Sequence, residues 1–200
     1  MAIAISVCHS GATAALTGSQ SSKKWQQNSN TNYVSRMEGR CVPIGLSPSF
    51  GGFGGGLFND LDNLVPFESI KSISLAAQFD KALSGIRIVT TNRTNEYGSI
   101  NPSLPLSTLT FQGAETTSFV QICIDNVGAN GVFRVVTYFR LDTTNGRVVE
   151  AGLRRTSSDC HFVGFANQQQ IFVGLYGLKA TLLDNLGFIF FDPAKCGLLS

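Results

Sequence analysis

Charge is what this sequence has least of. Only 14% of its 200 residues are Asp, Glu, Lys or Arg, where a globular chain commonly carries about a quarter. The 15 basic and 13 acidic residues leave a net charge of +2, with Lys and Arg scattered along the chain. A nucleic-acid partner requires a basic patch that neutralises phosphates, so DNA and RNA are discounted. Histidine is nearly absent, and His9 and His161 lie far apart. Asp159-Cys160-His161 lacks the repeated Cys/His spacing of a zinc site, and Asn59-Asp60-Leu61-Asp62 lacks the terminal Glu of a calcium loop. That acidic stretch therefore reads as surface acid, and no metal or other cofactor is expected. There is no serine in a nucleophile elbow and no Cys with a His partner. Asp142 and Glu150 flank a hairpin without a spacing that marks an acid/base pair, so no enzyme is expected. No run reaches the roughly 20 apolar residues that span a bilayer as a helix.

The ends of the chain carry mixed signals. Ala2 to Val7 is apolar and Ala12-Thr13-Ala14 resembles a small-residue cleavage site, but no Lys or Arg precedes the run. This weak signal leaves localisation open between cytoplasm and secretion. Residues 17–40, rich in Ser, Asn, Gln and Thr, read as a poorly ordered leader or an extended arm. Five cysteines, Cys8, Cys41, Cys123, Cys160 and Cys196, cannot all pair, although removal of a leader with Cys8 leaves four. Cys123 lies in an alternating segment and reads as a small buried hydrophobe. Asn92-Arg93-Thr94 has the form of a glycosylation acceptor, a triplet common by chance.

What the chain does have is glycine, 21 residues, and a period of two. Val120, Ile122 and Ile124 alternate with Phe119, Gln121 and Cys123. Phe133, Val135, Thr137, Phe139 and Leu141 alternate with Arg134, Tyr138 and Arg140. Such segments are strands with one buried face. Turn signals stand between them at Gly85, Asn101-Pro102, Gly113, Asn126 to Gly131, Asn145-Gly146 and Gly152. Asn145-Gly146 suits a type I′ hairpin turn between YFRLD and VVEAG. SLAAQFDKAL, residues 74–83, reads equally as two helical turns or as strand, turn and strand. The pattern gives an all-β domain and leaves sandwich, barrel, propeller and prism open.

Two separated stretches resemble the jacalin-like lectin family. SFGGFGGGLFNDLDN, residues 49–63, is similar to the family's glycine-rich opening followed by an aromatic and an acidic pair. FVGLYGLKATLLDNLGFIF, residues 172–190, is similar to its closing hairpin, with Gly-x-x-Gly and a loop ending in Leu-Asp. FRVVTYFRLDTTNGRVVEAG resembles the central hairpin and ISLAAQFDKALSGIRIVT the first, which implies strands in the ambiguous segment. The resemblance implies a β-prism of three four-stranded antiparallel sheets over residues 43–193, after a polar leader (1–42) and before a short tail (194–200).

The resemblance also implies a non-enzymatic carbohydrate site. Asp184 would accept from neighbouring sugar hydroxyls, backbone N–H groups of Thr181 and Leu182 would donate, and Gly51 or Gly52 would add another donor by close approach. The loop at Asp125 to Gly131 corresponds to a third wall in the family, although a plain exposed turn is the simpler reading, and Asp184 is equally suited to capping its own turn. The chain departs from the family pattern at Ala180, where sugar-binding members carry glycine, and at Leu182, where they often carry an aromatic. The expected partner is a mannose-, glucose- or galactose-like unit of a glycan or glycoconjugate, with avidity gained by a homo-oligomer. The alternative is a β-prism protein-interaction module that has lost sugar binding.

Overall fold

The computed structural model describes residues 34–192 apart from 38–39, 65–67, 79–81, 129–130, 132, 157 and 166–169. His9, the signal-like segment, most of the leader and the tail lie outside the described residues. Near the start are β1 (Val34–Met37), β2 (Arg40–Leu46), β3 (Phe50–Gly51) and β4 (Gly56–Asn59), then a 3-10 turn at Asp60–Asn63. There follow β5 (Ile70–Gln78), β6 (Ala82–Thr90), β7 (Thr94–Gly98) and β8 (Ser107–Thr110). The rest is β9 (Thr117–Val127), β10 (Phe133–Thr143), β11 (Val148–Gly152), β12 (Asp159–Gly164), β13 (Ile171–Lys179) and β14 (Leu183–Phe191). Among the described residues no helix is long and apolar enough to cross a membrane.

These strands form a β-prism of three antiparallel sheets. Two are ordered β11-β10-β9-β12 and β7-β6-β5-β8. In the third, β2 and β3 share one edge of β14, with Leu46 opposite Ile189 and Gly51 opposite Asn185. The order is thus β2/β3-β14-β13-β4, four strands deep, with β1 added outside β2. All three sheets send side chains into one core, including Ile73, Leu75 and Ile86 from one, Ile122, Phe139 and Leu141 from the next, and Leu175, Leu186 and Phe188 from the last. Each fully buried Leu, Ile or Phe contributes about 1.5–3 kcal/mol.

The same local device recurs in every sheet. The central hairpins β5–β6, β9–β10 and β13–β14 each carry a bulge, at Ser84, Thr137 and Asp184. The carbonyl of each bulge residue accepts from the residue after a positive-φ glycine on the neighbouring strand. Ser99 N–H donates to Ser84 O (2.7 Å), Leu153 N–H to Thr137 O (2.8 Å) and Gly52 N–H to Asp184 O (2.7 Å). The glycines are Gly98, Gly152 and Gly51, with φ of 76°, 94° and 139°. A Cβ on any of them would fall 2.0–2.1 Å from the accepting oxygen, so only glycine fits.

The described parts of SLAAQFDKAL, residues 74–78 and 82–83, lie in β5 and β6, the strands that the resemblance implied. Several other sequence expectations change. Gly85 lies inside β6 beside the bulge, where Ser99 and Ile100 approach it, and makes no turn. The β10–β11 turn closes from Thr143 to Gly146, whose N–H donates to Thr143 O (3.0 Å), and Thr143 N–H meets Arg147 O (2.9 Å). This is a three-residue loop ending on a left-handed glycine (φ 75°) and replaces the expected type I′ turn. Cys123 is no free thiol: it is bonded to Cys160, its direct opposite across β9 and β12, with Cα atoms 4.0 Å apart. The pairing depends on β12 returning to the edge of β9, which no local pattern encodes. From Val120 to Ile124, β9 is buried on both faces, Gln121 included, so the one-sided reading fails for that stretch.

Candidate functional site

The ends of the three central hairpins converge on a cavity of about 740 Å³. The β13–β14 hairpin supplies Ala180, Thr181, Leu182 and Asp184 to its wall, and the β5–β6 hairpin supplies Gln78 and Ala82. Asn126 to Gly128, at the end of β9, also line it, with Asn126 and Gly128 exposed. Arg155, beyond β11, completes the rim.

Phe133 lines the cavity with 64% of its surface exposed, against the expectation that it is buried. The cause is the bulge at Thr137, which shifts the alternation by one residue. Val136, Phe139 and Leu141 face the core, while Phe133 and Val135 face the cavity.

Asp184 sits where the closing hairpin meets the glycine loop. Its carboxylate stands against Gly54 and Gly55: a Cβ on Gly54 would lie 3.6 Å from Oδ1, and one on Gly55 only 2.5 Å from Oδ2. Among the described residues, buried Oδ2 has no hydrogen-bond partner. It does not cap its own turn. Burial raises the Asp184 pKa above its ordinary value.

The backbone donors divide differently from the sequence expectation. Gly52 N–H is engaged by Asp184 O, and Gly52 O accepts from Asn185 Nδ2 (3.2 Å), so Gly52 fastens the loop and offers no donor. Gly51 is the ladder residue opposite Asn185. Ala180 N–H closes the hairpin loop on Leu182 O (2.9 Å). Among the described residues the N–H groups of Thr181 and Leu182 have no partner and remain open beside Asp184.

Both flanks of the glycine loop are braced. On one side Phe50 stacks on His161 with ring centroids 4.4 Å apart, and Asp159 bridges His161 (3.3 Å) and Arg134 (2.7 Å). On the other stands Asp60, which is 3% exposed and so not the surface acid expected from sequence. Its carboxylate accepts from Leu175 N–H (2.9 Å), Asn95 Nδ2 (2.7 Å) and the Tyr97 hydroxyl. Burial and the facing Asp60 push the Tyr97 pKa well up. Lys179 Nζ lies 5.7 Å from the Tyr97 ring centre, covering that brace. Among the described residues no three His, Cys, Asp or Glu side chains gather as a metal ion would require.

Comparison with known proteins agrees with this fold. The model of the jacalin-like lectin domain matches residues 47–189. Wild-type Malaysian banana lectin superposes with a TM-score of 0.58 at 17% identity, covering 74% of this chain and 97% of that one. A mannose-binding jacalin-related lectin from Ananas comosus gives 0.58 at 16% identity, with 74% and 98% covered. Artocarpin complexed with methyl-α-mannose gives 0.59 at 17% identity, with 73% and 96% covered. No curated protein matches by sequence. With the family pattern spanning most of the chain over a three-sheet prism, this protein belongs to the jacalin-like lectin domain family.

Proposed function

We propose that this protein is a non-enzymatic lectin that holds a mannose-, glucose- or galactose-like unit in the cavity at the hairpin ends. The observation that carries the reading is Asp184: a cavity-lining carboxylate that accepts no hydrogen bond among the described residues, with Oδ2 packed against Gly55 of the glycine loop. A carboxylate only accepts, and a sugar hydroxyl is a donor of the right size. The open N–H groups of Thr181 and Leu182 complete a donor-and-acceptor set for adjacent hydroxyls. Phe133 supplies an aromatic face that Leu182 does not, suited to the apolar side of a pyranose.

Each hydrogen bond adds about 1 kcal/mol net, so one site binds a monosaccharide weakly and strong attachment needs several sites at once. A glycan array followed by calorimetry on wild type and Asp184→Ala tests the reading. Loss of binding in the variant is expected; binding that persists unchanged removes the site. A second reading, a protein-interaction module, is favoured by Phe53, 96% exposed at the tip of the glycine loop. It gains if neither wild type nor Ala180→Gly binds any glycan while a protein partner is retained only when Phe53 is present.

A further inference from the structure

We infer that Arg155 provides an anion subsite in the same cavity, so that the preferred glycan carries a carboxylate or sulfate group next to the unit held at Asp184. The inference rests on the glycan reading above and narrows its ligand class.

The arginines of this chain are mostly engaged. Arg87 donates to Glu96 at 2.6 Å, Arg134 to Asp159 at 2.7 Å and Arg140 to Asp142 at 2.7 Å. Arg147 donates to Glu115 and to Thr110 O (2.6 Å). Among the described residues Arg154 and Arg155 differ, and of the two only Arg155 lines the cavity. The carboxylate nearest to Arg155 among the described residues, Asp125 Oδ2, is 3.6 Å from Nη1, beyond hydrogen-bond length, and the Arg155 guanidinium donates no hydrogen bond there. Its side chain is 42% exposed and lines the cavity, whereas Asp125 is 16% exposed and is not part of the lining. Asp125 thus steadies the arginine electrostatically without occupying its N–H donors, and the partly exposed Arg155 side chain belongs to the cavity wall.

The rest of the wall sharpens the choice. Among the described residues, apart from Asp184 the other lining side chains are neutral, and Ala82, Val127, Phe133, Val135 and Leu182 make much of the surface apolar. Charge attraction is stronger beside such surface than in bulk water. A guanidinium binds a carboxylate or sulfate through two parallel, charge-assisted hydrogen bonds, stronger than those it gives to neutral hydroxyls. The pocket, of about 740 Å³ and partly open to solvent, leaves room for one unit at Asp184 and an acidic group toward Arg155.

The test is calorimetric titration of the full chain with a neutral disaccharide that the array identifies, its uronic-acid counterpart and its sulfated counterpart. At about 50 mM salt at least one acidic ligand is expected to bind about tenfold more tightly than the neutral one, with the margin shrinking at about 300 mM. Comparison of the two acidic ligands separates carboxylate from sulfate. Arg155→Gln is expected to bring the acidic-to-neutral ratio close to one, and Arg155→Lys, which keeps the charge and loses the fork, to leave an intermediate ratio. Unchanged melting temperatures confirm that both variants fold. Equal binding of neutral and acidic ligands by wild type, or an acidic preference that survives Arg155→Gln, overturns the inference while leaving the lectin reading standing. Binding of none of the arrayed glycans overturns both.

Discussion

Asp184 and Thr137 occupy the same place in their respective sheets, each the bulge residue whose carbonyl accepts from the residue after a left-handed glycine. Their side chains part company. Thr137 Oγ1 donates to Cys123 O (3.3 Å) across its hairpin, and Ser84 Oγ donates likewise to Ala76 O (3.2 Å). The corresponding carbonyl for Asp184 belongs to Leu178, and an ionised carboxylate has no proton to give it. Two sheets therefore satisfy the bulge internally, and the third presents an acceptor to the glycine loop.

This relationship predicts the outcome of Asp184→Ser. Serine should adopt the internal bond of its two counterparts, stabilise the fold at pH 7 by about 1 kcal/mol, and abolish glycan binding. The pH dependence follows from burial. A carboxyl whose folded pKa lies above its ordinary 3.8 binds its proton more tightly folded than unfolded. Its favourable contribution is complete below that value and disappears as pH rises through the folded pKa. The gap in stability between the Asp184→Ser variant and wild type should therefore be widest at neutral pH and narrow toward pH 4. Urea melts at both values check it, and a variant that is less stable at pH 7 contradicts it.

Gly55 separates backbone strain from site geometry. An alanine there takes φ of +79° and drives its methyl to 2.5 Å from both Asp184 Oδ2 and Lys179 O. Gly113 also has positive φ, +57°, with nothing near its Cβ position. Both substitutions should cost about 1–2 kcal/mol from the backbone. Only Gly55→Ala should also displace the carboxylate and weaken glycan binding about tenfold or more. Equal affinities in the two variants would show that the glycine loop does not shape the site.

Much of this was legible in the sequence because it is local. Alternation and turn chemistry mark the hairpins, and the glycine run and Leu183-Asp184 mark the loops that meet. What stayed hidden depends on tertiary distance. Asp60 looks like surface acid until its partners arrive from Asn95, Tyr97 and Leu175, the last 115 positions away. Phe133 looks buried until a bulge four residues on shifts the phase of β10. Arg155 carries no local mark at all, and only the closure of the prism brings it to the cavity.

Asp60 makes a strong stability prediction. Asp60→Ala leaves a buried amide, Leu175 N–H, and the Tyr97 hydroxyl without their acceptor, at a cost of about 3 kcal/mol or more. Asp60→Asn keeps an acceptor and should cost clearly less. Because the residue follows β4 directly, glycan affinity should fall in the same order. Denaturant titration and calorimetry on the two variants measure both; an Ala variant as stable as wild type contradicts the burial of this acid.

The Cys123–Cys160 bond closes a loop between residues 37 positions apart and ties edge strand β12 to β9. Restricting the unfolded chain over that length is worth about 2–4 kcal/mol, or roughly 5–15 °C in melting temperature for a domain of this size. The bond also neighbours His161, on which Phe50 stacks just before Gly51. Reduction should therefore lower the melting temperature and also weaken glycan binding, because a looser β12 no longer holds Phe50 and the glycine loop against Asp184. The double variant Cys123→Ala with Cys160→Ala should behave as the reduced protein does. Melting curves with and without reductant, alongside a thiol count and a binding isotherm, separate the two effects. A large drop in stability with affinity unchanged at a temperature where the fold persists would confine the disulfide to the scaffold and exclude it from supporting the site.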